Sequence, residues 1–348
     1  MIKLLKMKFA KPALAFAMSF GAMALSLEVS ADYSTHPDAL LLVEELAAEE
    51  GLDADYLKTI LSQAEKRDSI LEAISRPAER TFTWGRYRDI FLQDQRIEDG
   101  AEFWRANQEV LQAAELEFGV PAEIIVSVIG VETLYGGNTG SYPVIDALAT
   151  LAFDFPRRAP FFRSELKHFL ILTSEQGQDP LEFKGSYAGA MGLGQFMPSS
   201  YRNYAKGYKD DGFIDIWNDT SDAIWSVGNY LNAFGWRAGE PITQKVSSSE
   251  SFDNVAASTE LEPDRTTQEL LDSGIVFDGP SVDPAKEATL MALEIDEEIE
   301  HWVGWQNFYV ITRYNHSKLY AMAVYQLADS IRENFDQNPL STLSLNPE

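Results

Sequence analysis

One stretch constrains this chain more than any other: Gly119-Val-Pro-Ala-Glu-Ile-Ile-Val-Ser-Val-Ile-Gly-Val-Glu-Thr-Leu-Tyr-Gly-Gly137. Pro121 suits the first turn of a helix, where its missing N–H is not needed. Ile124, Ile125, Val128 and Ile129 then recur at helical spacing. Four residues on, the same stripe reaches Glu132, so a carboxylate sits on the apolar face. Gly136 and Gly137 are the expected helix stop. A carboxyl against apolar side chains loses solvation on ionising, which raises its pKa. That is the state a general acid needs near neutral pH. A glutamate at a helix end can equally bond a neighbouring N–H, and this segment alone leaves both readings open.

Around this helix the pattern predicts a mostly α fold. Helices are expected over 39–50, from Asp53 to about 66, and from Asp68 or Ser69 to before Pro77. Residues 77–83 read as a linker, and 84–92 as an aromatic-rich segment near a binding surface. One long helix is expected over 101–118 after Gly100, with others over 146–154, 160–173, 222–234 and 315–331. Between about 240 and 305 the texture turns polar and irregular, with strands expected over 289–295 and within 302–311. The resulting division is 1–31, 32–100, 101–240, a small β-rich insertion at 241–305, and a return to helix over 306–348. The tail after Asn334 reads as frayed.

Composition narrows the function. With 54 acidic against 28 basic residues the formal charge is -26. That balance argues against nucleic acid as a partner, because phosphates need a basic surface. There is no cysteine, which removes disulfides, thiolate metal sites, a thiol nucleophile and a lipidated N-terminal cysteine. Lys3, Lys6, Lys8 and Lys11, an apolar run over 12–27 and Val29-Ser30-Ala31 have the layout of a cleavable export signal. Cleavage is expected after Ala31, leaving no stable membrane insertion.

The second unusual stretch is Ser186-Tyr-Ala-Gly-Ala-Met-Gly-Leu-Gly-Gln-Phe-Met-Pro-Ser-Ser200. Its glycines permit close backbone approach, Gln195 can donate and accept toward hydroxyl or acetamido groups, and Phe196 can face a sugar ring. No Gly-Lys-Ser/Thr follows, so it is not a phosphate loop. Tyr87, Tyr230, Tyr314 and Tyr320 are candidate sugar platforms. Arg157 and Arg158 could bind a carboxylate.

Taken in order, Glu132 in Gly-Val-Glu-Thr-Leu-Tyr-Gly, the 188–200 run and Asn307-Phe-Tyr-Val-Ile-Thr-Arg-Tyr-Asn-His-Ser317 closely resemble the lytic murein transglycosylase B family, glycoside hydrolase family 103. The match runs from about Asp53 to Ala328 and includes 146–153 and 156–159. The resemblance implies a lysozyme-like α core with an added helical region and a small inserted β domain. It implies peptidoglycan glycan strands as substrate, cut between N-acetylmuramic acid and N-acetylglucosamine with a 1,6-anhydromuramoyl end. Glu132 falls on the family's catalytic acid/base. Ser186, Gln195, Phe196, Tyr230, Tyr314 and Asn315 fall on positions around the sugars, and Tyr87, Arg157, Arg158 and Tyr320 do so less closely. No cofactor is implied. The family's calcium loop is degenerate here: Asp211, Gly212, Asp215 and Asp222 remain, but Gly207 and Lys209 stand where oxygen ligands belong. A periplasmic enzyme is expected, with the cell-wall synthesis machinery as a candidate partner. The competing classes are a non-catalytic wall-binding protein and a hydrolytic muramidase on the same fold.

Overall fold

The computed structural model describes residues 32–75, 82–209, 212–248, 257–258 and 261–338. The export-signal reading of 1–31, most of the 77–83 linker, Asp211 and the tail beyond 338 lie outside them.

After a short 3-10 turn at Tyr33–Thr35, the chain forms α1 (Pro37–Glu49), α2 (Ala54–Gln63) and α3 (Asp68–Ser75). Asp53 caps α2 as its sequence predicts, accepting from the Asp55 and Tyr56 N–H groups at 2.8 and 3.0 Å. The helix stops at Gln63, short of Lys66, for a tertiary reason. The Glu65 N–H goes instead to the Asp146 carboxylate at 2.9 Å, and the Arg67 N–H to Thr150 Oγ1 at 3.1 Å.

Next come α4 (Trp84–Phe91), α5 (Asp94–Ala106), α6 (Gln108–Phe118) and α7 (Ala122–Thr133). The single helix expected over 101–118 is two. Asn107 breaks it, donating its side-chain amide to the Phe103 carbonyl at 2.8 Å. Gly100 does not precede a helix but lies inside α5. A side chain there would collide with Tyr135 and with Ile331 of the last helix, so the glycine allows close packing. α7 is buried nearly all round, from Ala122 through Gly130, which makes it the central helix of the core.

The core continues through β1 (Tyr142–Pro143), α8 (Val144–Asp154), α9 (Ala159–Glu175), β2 (Lys184–Gly185), α10 (Pro198–Tyr204) and α11 (Thr220–Ala233). β1 and β2 pair antiparallel and bring the Gly-rich stretch back toward the end of α7. The insertion is β3 (Thr243–Ser248), β4 (Arg265–Thr266), α12 (Thr267–Asp272), β5 (Ile275–Phe277), β6 (Glu287–Ile295) and β7 (Glu298–Gly304). Its strands pair antiparallel in the order β4-β6-β7-β3-β5. They enclose a small second core around Val246, Leu290, Val303 and Trp305.

The expected strands over 302–311 are half right. β7 ends at Gly304, and α13 (Gln306–Tyr314) follows. Phe308, Val310 and Ile311 are apolar at spacings that fit either element. What decides is Asn307, fully buried at the start of α13. Its amide donates to the Arg237 and Glu240 carbonyls at 2.8 and 3.0 Å and accepts from the Arg237 N–H at 2.8 Å. This ties the start of α13 to the segment that leaves the core. α14 (Lys318–Gln337) then packs along α7, where Ser127 Oγ donates to the Val324 carbonyl at 2.7 Å.

Candidate active site

Glu132 is the penultimate residue of α7 and is half-buried. The helix does not end on Gly136 and Gly137 as expected. It ends because Leu134 and Tyr135 take left-handed conformations, at φ 53° and 58°. Non-glycine residues adopt that region at a cost, and it persists where the surroundings over-determine it. Three ties do so here. Thr133 Oγ1 donates to the Leu193 carbonyl at 2.9 Å and accepts from the Gly136 N–H at 3.1 Å. Tyr135 donates its hydroxyl to the Arg96 carbonyl at 2.8 Å. Arg96, on α5, returns a bond to the Gly130 carbonyl at 3.1 Å. The last turn of α7, with Glu132 on it, is thereby fixed from both sides.

Tyr320, two residues into α14, completes the arrangement. Its hydroxyl donates to Glu132 Oε1 at 2.7 Å, and its ring is 2% exposed. Burial first, then the charge of Glu132, pushes the Tyr320 phenol well above its ordinary pKa. Tyr320 therefore stays protonated and remains a donor throughout the working pH range. Tyr314 stacks on it, with rings 6.4 Å apart and 9° from parallel. Burial, followed by Glu132, raises the Tyr314 phenol in the same way.

The Gly-rich stretch forms the facing wall. Tyr314 donates its hydroxyl to the Gly194 carbonyl at 2.5 Å, an approach that a side chain on Gly194 would block. Gln195 is held at φ 51°. Its amide nitrogen donates to the Thr139 and Gly192 carbonyls at 3.1 and 2.9 Å. Ser186 Oγ accepts the Ala190 and Ala188 N–H groups at 3.0 and 3.3 Å.

Not every predicted platform faces outward. Phe196 is 3% exposed, Tyr87 1% and Tyr230 7%. The Phe196 ring lies 5.6 and 6.0 Å from those of Tyr230 and Tyr314, and the Tyr230 hydroxyl is spent on the Arg313 carbonyl at 2.8 Å. These rings pack behind the site and set its shape; in this conformation they do not present faces to a sugar. The aromatic segment of α4 is likewise buried at Trp84 and Tyr87. Asn315, by contrast, is exposed. It lines a cavity of about 1080 Å³ together with Arg158 and Tyr187. Arg157 is exposed and is not part of that cavity wall.

Sequence reasoning missed Thr133, Tyr135 and Arg96. The first two stand within three positions after Glu132 and carried a signal, since a hydroxyl and a phenol flank the helix stop. Arg96 carried none.

Among the described residues of the loop after α10, which leave out Asp210 and Asp211, the carboxylates are engaged by backbone donors. Asp222 is 4% exposed, and its two oxygens accept the Tyr208 and Asp215 N–H groups at 2.9 and 2.8 Å. Asp215 in turn accepts from the Trp217 and Asn218 N–H groups at 3.0 and 2.9 Å. Among the described residues these carboxylates hold the loop through backbone donors, and Lys209 stands where an oxygen ligand is expected.

A half-buried carboxylate fixed by a phenol, at the end of a buried helix and beside a glycine-rich wall, is the arrangement of an acid/base glycan-cleaving enzyme on a helical core. Residues 36–329 match the Transglycosylase SLT domain family, and the chain belongs to it. It is 38% identical over 314 residues to membrane-bound lytic murein transglycosylase B of Escherichia coli K12, covering 88% of this chain and 85% of that protein. The fold is similar to catenated lytic transglycosylase SltB1 from Pseudomonas aeruginosa, at 48% identity and a TM-score of 0.84, covering 87% of this chain and all of the other. It is also similar to SltB3 of the same organism in complex with NAG-NAM-pentapeptide, at 30% identity and a TM-score of 0.76, covering 84% and 78% of the two chains.

Proposed function

We propose that this protein is a lytic transglycosylase that binds peptidoglycan glycan strands. It cuts the β-1,4 bond from N-acetylmuramic acid to N-acetylglucosamine and leaves a 1,6-anhydromuramoyl end. The observation that carries this reading is the Tyr320–Glu132 hydrogen bond on the pinned end of α7. In this mechanism Glu132 gives its proton to the leaving glycosidic oxygen. The oxocarbenium-like centre is met by the substrate's own N-acetyl oxygen, since the resemblance supplies no second catalytic carboxylate. Ser186 is suited to hold that acetamido group: its oxygen already accepts two N–H bonds, which leaves the hydroxyl proton to donate. Glu132, now ionised, takes the proton of the muramoyl 6-hydroxyl. That oxygen attacks the anomeric carbon, displaces the N-acetyl oxygen and closes the anhydro ring. No water is consumed, and the intramolecular attack gains from proximity.

The deciding experiment is digestion of purified sacculi followed by mass spectrometry. Anhydro ends, each lighter by one water than the hydrolytic product, are the expected result. Reducing muramic ends would replace this reading with a muramidase, and no release at all with a binding protein.

We assign the basic, apolar N-terminal segment to export into the periplasm. Among the described residues no helix is long and apolar enough to cross a membrane. The loop around Asp215 and Asp222 is assigned a metal-independent role. Added calcium is expected to leave the melting temperature within about 2 °C of its value in chelator, whereas tight binding would raise it through mass action. A rise of ten degrees would reverse the assignment.

A further inference from the structure

A second cavity, of about 710 Å³, opens where the β insertion meets the core and shares no lining residue with the one beside the site. Its walls are the segment entering β3, the loop from β5 to β6, Trp302 of β7 and Tyr325 of α14. Both rings are half-buried, and among the described residues neither meets another aromatic ring. That separates them from Phe196 and Tyr230, which pack against other rings. The Trp302 indole N–H is spent on Glu300 Oε2 at 3.1 Å, which leaves the ring itself as what the residue offers.

The polar groups of this wall are already matched, with one exception. Glu240 takes up Lys286 at 2.8 Å, and Glu300 takes up Lys245 at 2.8 Å. Asp278 accepts from Ser247 Oγ at 3.1 Å, Asp283 accepts from the Ala285 N–H at 2.9 Å, and both are exposed. Among the lining residues no cation is left over for an anion. The exception is the Gln244 amide nitrogen, buried beside Gly279 without a hydrogen-bond partner. A buried donor with no acceptor is a standing cost to the fold. The last torsion of a glutamine side chain is soft, so the amide can turn to meet an oxygen without moving β3.

These features describe a ligand that is uncharged, with an apolar face for the two rings and an acceptor oxygen for Gln244. A pyranose carrying an acetamido group has both, and the volume is that of a small-molecule site. We infer that this cavity is a second glycan-binding site, taking an N-acetylglucosamine unit away from the bond being cut. The inference rests on the peptidoglycan reading and adds a point of retention to it. N-acetylglucosamine is the uncharged sugar of that polymer, whereas the muramoyl unit carries the stem carboxylates. Trp302 is the cross-strand partner of Met291, which lines the cavity beside Glu132. Tyr325 stands on the same helix as Tyr320. One sheet and one helix therefore carry both sites, and glycan held at the second raises its effective concentration at the first.

Two measurements test it. In the first, Glu132→Gln protein is titrated with diacetylchitobiose, an uncharged pair of N-acetylglucosamine units, while NMR follows the side-chain amide of Gln244. The signal that disappears in Gln244→Leu assigns it. A saturable shift of that signal is expected; a titration that moves other signals and leaves this one in place rejects the site. In the second, Gln244→Leu and Trp302→Leu are assayed on a tetrasaccharide, on isolated long glycan strands and on sacculi. The rings of the tetrasaccharide are taken up at Glu132, so its turnover should change less than twofold. KM on sacculi should rise roughly three- to tenfold, the loss of one hydrogen bond, with kcat unchanged. The same rise on isolated strands means that the second unit comes from the strand being cut, and a rise on sacculi alone means that it comes from a neighbouring strand. Either result upholds the site. Equal loss on every substrate in Gln244→Leu, or no change on sacculi, rejects it and leaves the reaction standing. A Gln244 signal that responds to the sugar, while the unaltered protein releases no anhydro ends, keeps the site and rejects the reaction.

Discussion

Replacing Glu132 with Gln is expected to remove release of anhydromuropeptides by on the order of 10³-fold or more, the range of a lost general acid that also serves as base. The change is nearly isosteric. The amide oxygen can still accept from Tyr320, and the pinned turn formed by Thr133, Tyr135 and Arg96 is untouched. The melting temperature is therefore expected to move by less than about 4 °C, or roughly 1 kcal/mol. Binding to sacculi should persist, because the amide removes the transferable proton and not the walls of the site. The effect then falls on kcat, the signature of an interaction used only in the transition state. The measurement is product release from sacculi beside a pelleting assay on the same preparation. Residual cleavage above about a tenth of normal would place the proton donor elsewhere. Loss of binding together with cleavage would mean that the substitution had damaged the site as a whole.

The fold was legible wherever one local pattern had one solution. An apolar helix with a single carboxylate on its stripe could only be central, and α7 is central. The loss of helical periodicity after about 240 marked a β excursion, and a five-stranded sheet stands there. Legibility failed where a distant residue made the decision. α2 stops at Gln63 because Asp146 and Thr150, some eighty positions away, claim the next N–H groups. Strand and helix over 302–311 were indistinguishable from spacing, and the buried amide of Asn307 chose between them. At the site, Glu132 could be singled out from its neighbours in the chain. Tyr320 stood out only as a candidate sugar platform; its bond to Glu132 was not legible, because the two are 188 positions apart. The outward platforms expected of Phe196 and Tyr230 failed for a related reason: an aromatic ring looks the same in sequence whether its face meets a ligand or another ring.

Tyr320→Phe is the sharper test of how the site is built, because it keeps the ring and removes one hydrogen bond. The phenylalanine fills the same buried slot and still stacks on Tyr314, so a cavity cost is avoided. What is lost is a donor 2.7 Å from Glu132 Oε1 that burial and the nearby charge hold protonated. Bonds to charged partners contribute about 1.5–3 kcal/mol, which converts to a fall in kcat of roughly 10- to 100-fold with KM within about threefold. The direction of the accompanying pH effect follows from which form the phenol favours. It donates to the ionised carboxylate, so its removal disfavours ionisation. The limb of the pH–rate profile that reports Glu132 is then expected to move to higher pH in Tyr320→Phe. A purely structural tyrosine would lower stability or rate without moving that limb. A fall in kcat with an unshifted profile would therefore leave Tyr320 as packing, and the orientation of Glu132 would rest on the Thr133 and Tyr135 ties alone.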